Sequence, residues 1–217
     1  MSEASLLLAL HSSSETLAVA VQPLGAAQQP AQCSCFPLGR ALSNELLPCL
    51  EQVLPAERWS EVGRLVVATG PGGFTGTRLT VVLARTLAQQ LQVPLHGFSS
   101  FLLMARRLAR PGGPMHAHPR FWLTQELPRR GTVAGCYGPD PASFGGVAEL
   151  ELPRLFQAAE AWPGAADGPD PRHAADVDAG ADALELLQLG QLAQAEGLPG
   201  PWQPVLPIYP TSPVEGA

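Results

Sequence analysis

The sequence of 217 residues contains no lysine, and no aspartate precedes Asp140. Without lysine the chain can form neither a Schiff base nor the ammonium clamp that holds phosphate in many nucleotide-binding loops. Magnesium-nucleotide chemistry also uses carboxylates as metal ligands. Before Asp140 the chain offers only seven glutamates, most of them in predicted surface helices or near the terminus. We therefore predict no catalytic residue in the first half.

Long apolar runs are missing too, since none approaches the roughly eighteen residues needed to span a bilayer. The first residues carry Glu3 rather than a basic segment, and the apolar stretch that follows is too short for a signal peptide. These features predict a cytoplasmic protein with no membrane contact.

Cysteines are few, and their spacing does not suit a metal site. Cys33, Cys35, Cys49 and Cys136 form no Cys-x-x-Cys pair, and no histidine is added at ligand spacing. Cys33 and Cys35 share one face of a predicted strand and are too close in sequence for an ordinary disulfide. We predict no metal and no cofactor.

The net charge of −6 is unevenly distributed. Residues 1–130 hold eleven arginines and seven glutamates, which gives +4, whereas residues 131–217 hold two arginines and twelve acids, which gives −10. The overall acidity argues against tight autonomous binding of nucleic acid. Any contact with RNA is expected to be made through a partner.

Residues 70–78, here called the glycine loop, read Gly-Pro-Gly-Gly-Phe-Thr-Gly-Thr-Arg. They follow an apolar run at 65–68 that predicts a buried strand, and they precede a predicted helix for which Thr75 or Thr77 could be the cap. A strand, glycine loop and helix in this order often present backbone N–H groups to an anion. The loop nevertheless fits neither the dinucleotide fingerprint nor the lysine-containing phosphate loop. The candidate anion-contacting residues are Gly72, Gly73, Thr75, Gly76 and Arg78.

Three strands are predicted before the first helix, at 6–10, 16–21 and 32–36, the first two as a hairpin. Ser43 is the predicted cap of a helix that ends before Pro55, with Pro48 near its first turn. The helix at 79–91 has residues 79, 82, 83, 87 and 91 along one face and a flank of small residues beside it. A helix apolar on two sides is either deeply buried or shared with a partner, and the pattern leaves both open.

The sequence 110–114, Arg-Pro-Gly-Gly-Pro, predicts a boundary between a first domain at 1–110 and a second at 111–217. The second half predicts a strand pair at 121–124 and 132–137, a variable region at 158–181 and a helix at 182–195. Prolines recur every third residue from Pro201 to Pro213, which matches polyproline II. This tail is either a ligand for a proline-binding module or an extended segment anchored by Trp202, Leu206, Ile208 and Tyr209.

The glycine loop resembles the signature loop of the TsaB (YeaZ) family, Gly-Pro-Gly-Ser-Phe-Thr-Gly-x-Arg. Residues 6–14 resemble its opening strand, residues 43–48 its Ser-x-x-Leu-Leu-Pro helix start, and residues 93–100 its Ile-Pro-Val-x-Gly-Val-Ser-Ser segment. Pro207, Ile208 and Tyr209 are similar to its terminal Pro-Val-Tyr. The resemblance covers about residues 5–108 well and the rest thinly.

The resemblance implies an α/β fold of the actin-like, sugar-kinase and heat-shock ATPase class (ribonuclease H-like), with two lobes on mixed sheets. It implies a non-catalytic partner of TsaD in forming threonylcarbamoyladenosine on tRNAs that read codons beginning with A. TsaE would join a larger complex, tRNA would be met only through the complex, and a homodimer would use the same face. The implied interface lies on the helices at 44–54 and 78–91. Its candidate residues are Leu46, Leu50, Val81, Ala84, Arg85 and Ala88.

The sequence also departs from the family pattern. His11 occupies the position of the opening aspartate, Leu42 that of a histidine, and Gly73 that of the loop serine. Most departures remove nucleotide or metal ligands and so favour a non-enzyme. The alternatives are an ATP-dependent phosphotransferase or metal-dependent peptidase of the same fold, or an adaptor that displays its proline-rich tail.

Overall fold

The computed structural model describes residues 5–157, 160, 162, 164 and 168–210. The described residues form nine strands and four α-helices. The strands are β1 (Leu6–His11), β2 (Thr16–Pro23), β3 (Gln32–Pro37), β4 (Val62–Ala68), β5 (Leu95–Phe98), β6 (Phe121–Leu127), β7 (Gly131–Pro139), β8 (Val147–Gln157) and β9 (Arg172–Ala174). The helices are α1 (Leu42–Val53), α2 (Phe74–Leu91), α3 (Ser100–Ala109) and α4 (Ala179–Ala195).

The chain divides into two compact units. Unit 1 comprises Met1–Ser100 and Val177–Ile208, and unit 2 comprises Phe101–Asp176 and Tyr209–Ala217. This division differs from the predicted domains 1–110 and 111–217, because the chain returns to unit 1 with α4. Sequence patterns report local structure and could not show that return.

Unit 1 contains a five-stranded mixed sheet in the order β3-β2-β1-β4-β5. The predicted hairpin is present, with β1 and β2 antiparallel, and β3 extends it at the edge. β1 and β5 both run parallel to β4. Every residue of β1 is buried, which explains its nearly continuous apolar sequence.

Helices cover both faces of this sheet. Leu8 and Leu10 of β1 join one core cluster with buried residues of α1 and α2. On the other face, α4 packs against β1, β2 and β4, and Gly190 lies so close to Leu7 that an added Cβ would be 2.8 Å from its side chain. Unit 1 is therefore a helix–sheet–helix sandwich, and α1 and α2 form one outer layer.

The predicted helix caps are wrong at α1 and α2. Helix α1 begins at Leu42, before Ser43, and its first turn has no side-chain cap. Pro48 consequently lies inside the helix rather than in its first turn. Helix α2 begins at Phe74 after Gly73, so Thr75 already lies within the helix and caps nothing. The cap position of α2 therefore lies two or four residues earlier than a cap at Thr75 or Thr77 would place it.

Unit 2 contains a four-stranded sheet in the order β8-β7-β6-β9. The predicted strand pair is confirmed as the antiparallel hairpin of β6 and β7. β8 and β9 were not predicted, and β9 falls within the region 158–181 that the sequence marked as variable. Parts of 158–167 lie outside the described residues, and α4 already begins at Ala179 with Asp178 as its cap. In the part of the chain that the structure describes, no helix is long and apolar enough to cross a membrane.

Residues 198–208, here called the C-terminal strap, lie along unit 1. The N–H of Leu95 donates to the carbonyl of Gly200 at 2.8 Å, and the N–H of Ile208 donates to the carbonyl of Thr69 at 2.7 Å. Between them, Val205 is buried in the core of unit 1. The segment is thus anchored at three points, as the second interpretation of the tail predicted.

The strap is not a continuous polyproline II helix. A turn closes between Trp202 and Val205, whose N–H donates to the carbonyl of Trp202 at 3.2 Å. Trp202 and Ile208 are half-buried anchors, but Leu206 and Tyr209 are 56% and 40% exposed. Anchoring of residues 200–208 therefore argues against a freely displayed proline-rich ligand.

Candidate functional site

The glycine loop joins β4 to α2, and its backbone bonds with other parts of unit 1. Gly70, at φ +90°, accepts a 2.7 Å hydrogen bond from the N–H of Ser100. The N–H of Gly73 donates to the carbonyl of Ser13 at 3.0 Å. The Ser13 and Ser100 hydroxyls are themselves hydrogen-bonded. The loop is thus tied to the end of β1 and to the start of α3, and one of its N–H groups is already used within the chain.

Two glycines of the loop are required by close packing. A Cβ at Gly72 would collide with the backbone of Ser13. A Cβ at Gly76 would lie 3.0 Å from the carbonyl oxygen of Ser12 and 3.0 Å from the side chain of Leu42. Gly73 has no such neighbour within 4 Å. Packing therefore explains Gly72 and Gly76, but not Gly73.

A cleft of about 440 Å³ lies beside the loop, where α1 and α2 both begin. Among the candidate anion-contacting residues, Gly73, Thr75 and Gly76 line this cleft, whereas Gly72 packs on Ser13 and Arg78 is exposed elsewhere on α2. Two helix N-termini favour a negative charge in the cleft. Arg40 adds a cation and Glu15 an opposing carboxylate. The arrangement can hold a small polar or anionic group.

The described residues contain no cluster of three or more His, Cys, Asp or Glu side chains placed to hold a metal ion. His11 is fully buried at the end of β1. A buried imidazole there does not supply the carboxylate oxygens that magnesium prefers.

The structure places most of the candidate interface residues inside unit 1. Five of the six have 7% or less of their surface exposed and belong to its core: Leu46, Leu50, Val81, Ala84 and Ala88. The sixth, Arg85, is half-buried, and its guanidinium carbon lies 5.5 Å from the centre of the Trp202 ring. The sequence left open whether the small residues beside the main apolar face of α2 are buried or shared with a partner. The structure supports burial.

The outer face of the same helices carries other apolar residues. Leu47 of α1 and Phe74 and Val82 of α2 are 47%, 50% and 51% exposed. The sequence pattern placed Leu47 and Val82 on the apolar faces of their helices, and Phe74 was interpreted only as part of the glycine loop. Since α2 is apolar on more than one side, periodicity could not decide which side faces the sheet. The side of α2 that is buried in the core of unit 1 carries the small residues Ala84 and Ala88.

Comparisons with known proteins agree with these features. Residues 38–119 match the family model "TsaD: tRNA N6-adenosine threonylcarbamoyltransferase", which covers less than half of the chain. Two curated relatives are both named "tRNA threonylcarbamoyladenosine biosynthesis protein TsaB". The protein of Bacillus subtilis is 44% identical over 45 residues, and that of Escherichia coli is 30% identical over 76 residues. The matches span 20% and 33% of those proteins and 21% and 34% of this chain.

A solved structure extends the likeness to nearly the whole chain. It is described as an uncharacterized protein with similarity to peptidase YEAZ from Pseudomonas aeruginosa. It superposes with a TM-score of 0.71 at 24% identity and covers 95% of this chain and 100% of that chain. The molecule is thus an α/β protein with the YeaZ fold and two mixed sheets, which confirms the predicted fold class. The sequence matches show that parts of the chain are similar to proteins named TsaB, as its motifs predicted.

Proposed function

We propose that this chain is a non-catalytic binding subunit that pairs with a TsaD-type threonylcarbamoyltransferase. In this role it supports formation of threonylcarbamoyladenosine on tRNAs that read codons beginning with A. TsaE joins the larger complex, tRNA is bound through the complex, and the protein works in the cytoplasm. The names of the curated relatives support this pathway, although the matches span only a fifth to a third of those proteins.

The observation that carries the proposal is the outward face of the α1–α2 layer. Leu47, Phe74 and Val82 are large apolar residues, each about half exposed, on two helices whose inner faces are already fully packed. A partner that covers these side chains removes apolar surface from water without disturbing the core of unit 1. The interface therefore consists of these residues rather than the six that the sequence suggested.

The chemistry of the residues supports a binding role. The chain has no lysine, His11 replaces the aspartate of related ATPases, and the N–H of Gly73 is bonded to Ser13. The glycine loop then has a structural role, since its tight turn sets the position at which α2 begins.

Size-exclusion chromatography of the purified chain mixed with TsaD from the same organism tests the pairing. A co-eluting complex of higher mass is expected. Separate elution of both proteins at micromolar concentrations would contradict the proposal. Elution of the chain alone as a dimer that dissociates when TsaD is added would show that both contacts use the same face.

The cleft of about 440 Å³ favours one alternative, a phosphotransferase or peptidase of the same fold. Magnesium-dependent turnover of ATP, or metal-dependent cleavage of a peptide, by the isolated chain would support that alternative. The expected result under our proposal is no turnover above that of the buffer.

A further inference from the structure

Two cysteines lie side by side on β3, the edge strand of the sheet of unit 1. Because successive side chains of a strand point to opposite faces, Cys33 and Cys35 share one face and Ser34 points away from them. Both thiols are free; Cys33 is half-buried and Cys35 is exposed. The pair can therefore be reached from solvent through Cys35.

The first turn of α4 fixes the position of both sulfur atoms. The thiol of Cys33 donates to the carbonyl of Gly180 at 3.9 Å. A Cβ at Gly180 would lie 3.1 Å from the sulfur of Cys35, so the glycine makes room for that sulfur. Burial, and secondly the neighbouring Cys35 thiol, raises the pKa of Cys33 to about 11. The carboxylate of Asp178 adds negative charge near the pair.

We propose that Cys33 and Cys35 form a two-sulfur binding site for a soft, two-coordinate cation such as Cu⁺. The spacing argument that predicted no metal site applies to ions with four ligands, such as structural zinc, whereas two sulfur ligands can select Cu⁺. The described residues contain no cluster of three or more His, Cys, Asp or Glu side chains placed to hold a metal ion. Cys33 and Cys35 lie on one face of β3, each beside Gly180, and supply two sulfur ligands, the number that a two-coordinate ion takes.

The binding step is a simple exchange of ligands. Each thiol releases its proton to the solvent, two copper–sulfur bonds form, and the oxidation state of neither sulfur nor copper changes. The site lies on the opposite side of the sheet from the α1–α2 layer, so this inference is independent of the proposed partner.

Competition for Cu⁺ with a coloured Cu⁺ chelator, under anaerobic reducing conditions, tests the site. The full chain is expected to withdraw one Cu⁺ per molecule from the chelator. Cys35→Ser is expected to weaken this uptake by at least about 100-fold, since even changes beyond the direct ligands lower metal affinity by about 10- to 100-fold. The matched control is Cys49→Ser, which removes a buried thiol of α1 and leaves the pair intact.

Two results would overturn the proposal. One is a wild-type chain that takes no Cu⁺ from the chelator; the other is a Cys35→Ser chain that binds Cu⁺ like the wild type. Cys33→Ser is expected to behave like Cys35→Ser. Because the Cys35 side chain is exposed, its replacement leaves the fold intact, and circular dichroism of each variant verifies this.

Discussion

The backbone N–H of Ile208 donates a 2.7 Å hydrogen bond to the carbonyl oxygen of Thr69, the residue immediately before the glycine loop. Gly70 follows, and a Cβ there would lie 3.3 Å from the carbonyl oxygen of Ile208. The C-terminal strap and the base of the glycine loop are therefore packed backbone to backbone. Further along the strap, Trp202 packs on the core and stacks with Arg85 of α2. The strap thus holds the helix that presents Val82 outward.

Trp202→Ala is expected to destabilise the folded chain by about 1–3 kcal/mol, less than for a fully buried tryptophan because this one is half-buried. The loss comes from its packing on α2 and from the Arg85 contact. Urea unfolding followed by circular dichroism measures it. Leu206→Ala on the same strap is the control, since Leu206 is 56% exposed and its truncation should change stability by no more than about 0.5 kcal/mol. Equal effects of the two variants would contradict the anchoring role of Trp202.

Gly72→Ser and Gly73→Ser introduce the same side chain at adjacent positions. We expect only the first to destabilise the folded chain. At Gly72 the new Cβ meets the backbone of Ser13, so a loss of about 2 kcal/mol or more is expected. Gly73 has an ordinary φ of −57° and open space around it, so serine there should change stability by less than about 0.5 kcal/mol. Thermal unfolding measures the stability of both variants. A Gly73→Ser chain as unstable as Gly72→Ser would contradict the packing described for the loop.

His96 makes the stability of unit 1 sensitive to acid. Burial, and secondly the neighbouring guanidinium of Arg64, lowers the pKa of His96 from 6.5 to about 4. Between these values the unfolded chain binds more protons at this site than the folded chain, so stability falls as the pH is lowered from 6.5 towards 4. His96→Gln should flatten this part of the profile, measured as urea midpoints between pH 4 and 7.

His116→Gln, a change at an exposed loop histidine, is the control for that profile. With this variant, the urea midpoint should fall between pH 7 and pH 4 as steeply as it does for the wild type. A His96→Gln profile that is equally steep would show that other groups cause the dependence.

Strands and turns that have a local sequence pattern could be predicted from the sequence alone. The apolar runs of β1 and β4 and the glycine loop between β4 and α2 were all identified, because a buried strand beside a glycine turn leaves a clear signature. β8 was missed, since Pro153 and the alternating Glu149 and Glu151 hide a strand that is specified by its pairing with β7. Such pairing is tertiary and cannot be found in a short window.

The burial of individual residues on α1 and α2 could be predicted only in part. Both helices were predicted, but the sequence pattern did not reveal that five of the six candidate interface residues lie in the core of unit 1. Val81 and Val82 are both apolar and lie about 100° apart on α2, which is apolar on more than one side. Only the packing of Val81 on the sheet, at 0% exposure, and the 51% exposure of Val82 distinguish them. The same packing makes Ala84→Arg unsuitable as an interface test, since a buried arginine would disrupt the core itself.

The most direct test of the account compares Val82→Arg with Leu152→Arg in binding to TsaD by isothermal titration calorimetry. Both replace an exposed apolar residue, at 51% and 67% exposure, but Leu152 lies on β8 in unit 2. Burying the new charge of Val82→Arg against a partner should weaken binding by about 30-fold or more, the effect of losing about 2 kcal/mol at a central contact. Leu152→Arg should bind like the wild type. Undiminished binding of Val82→Arg, with weakened binding of Leu152→Arg, would contradict the proposed interface.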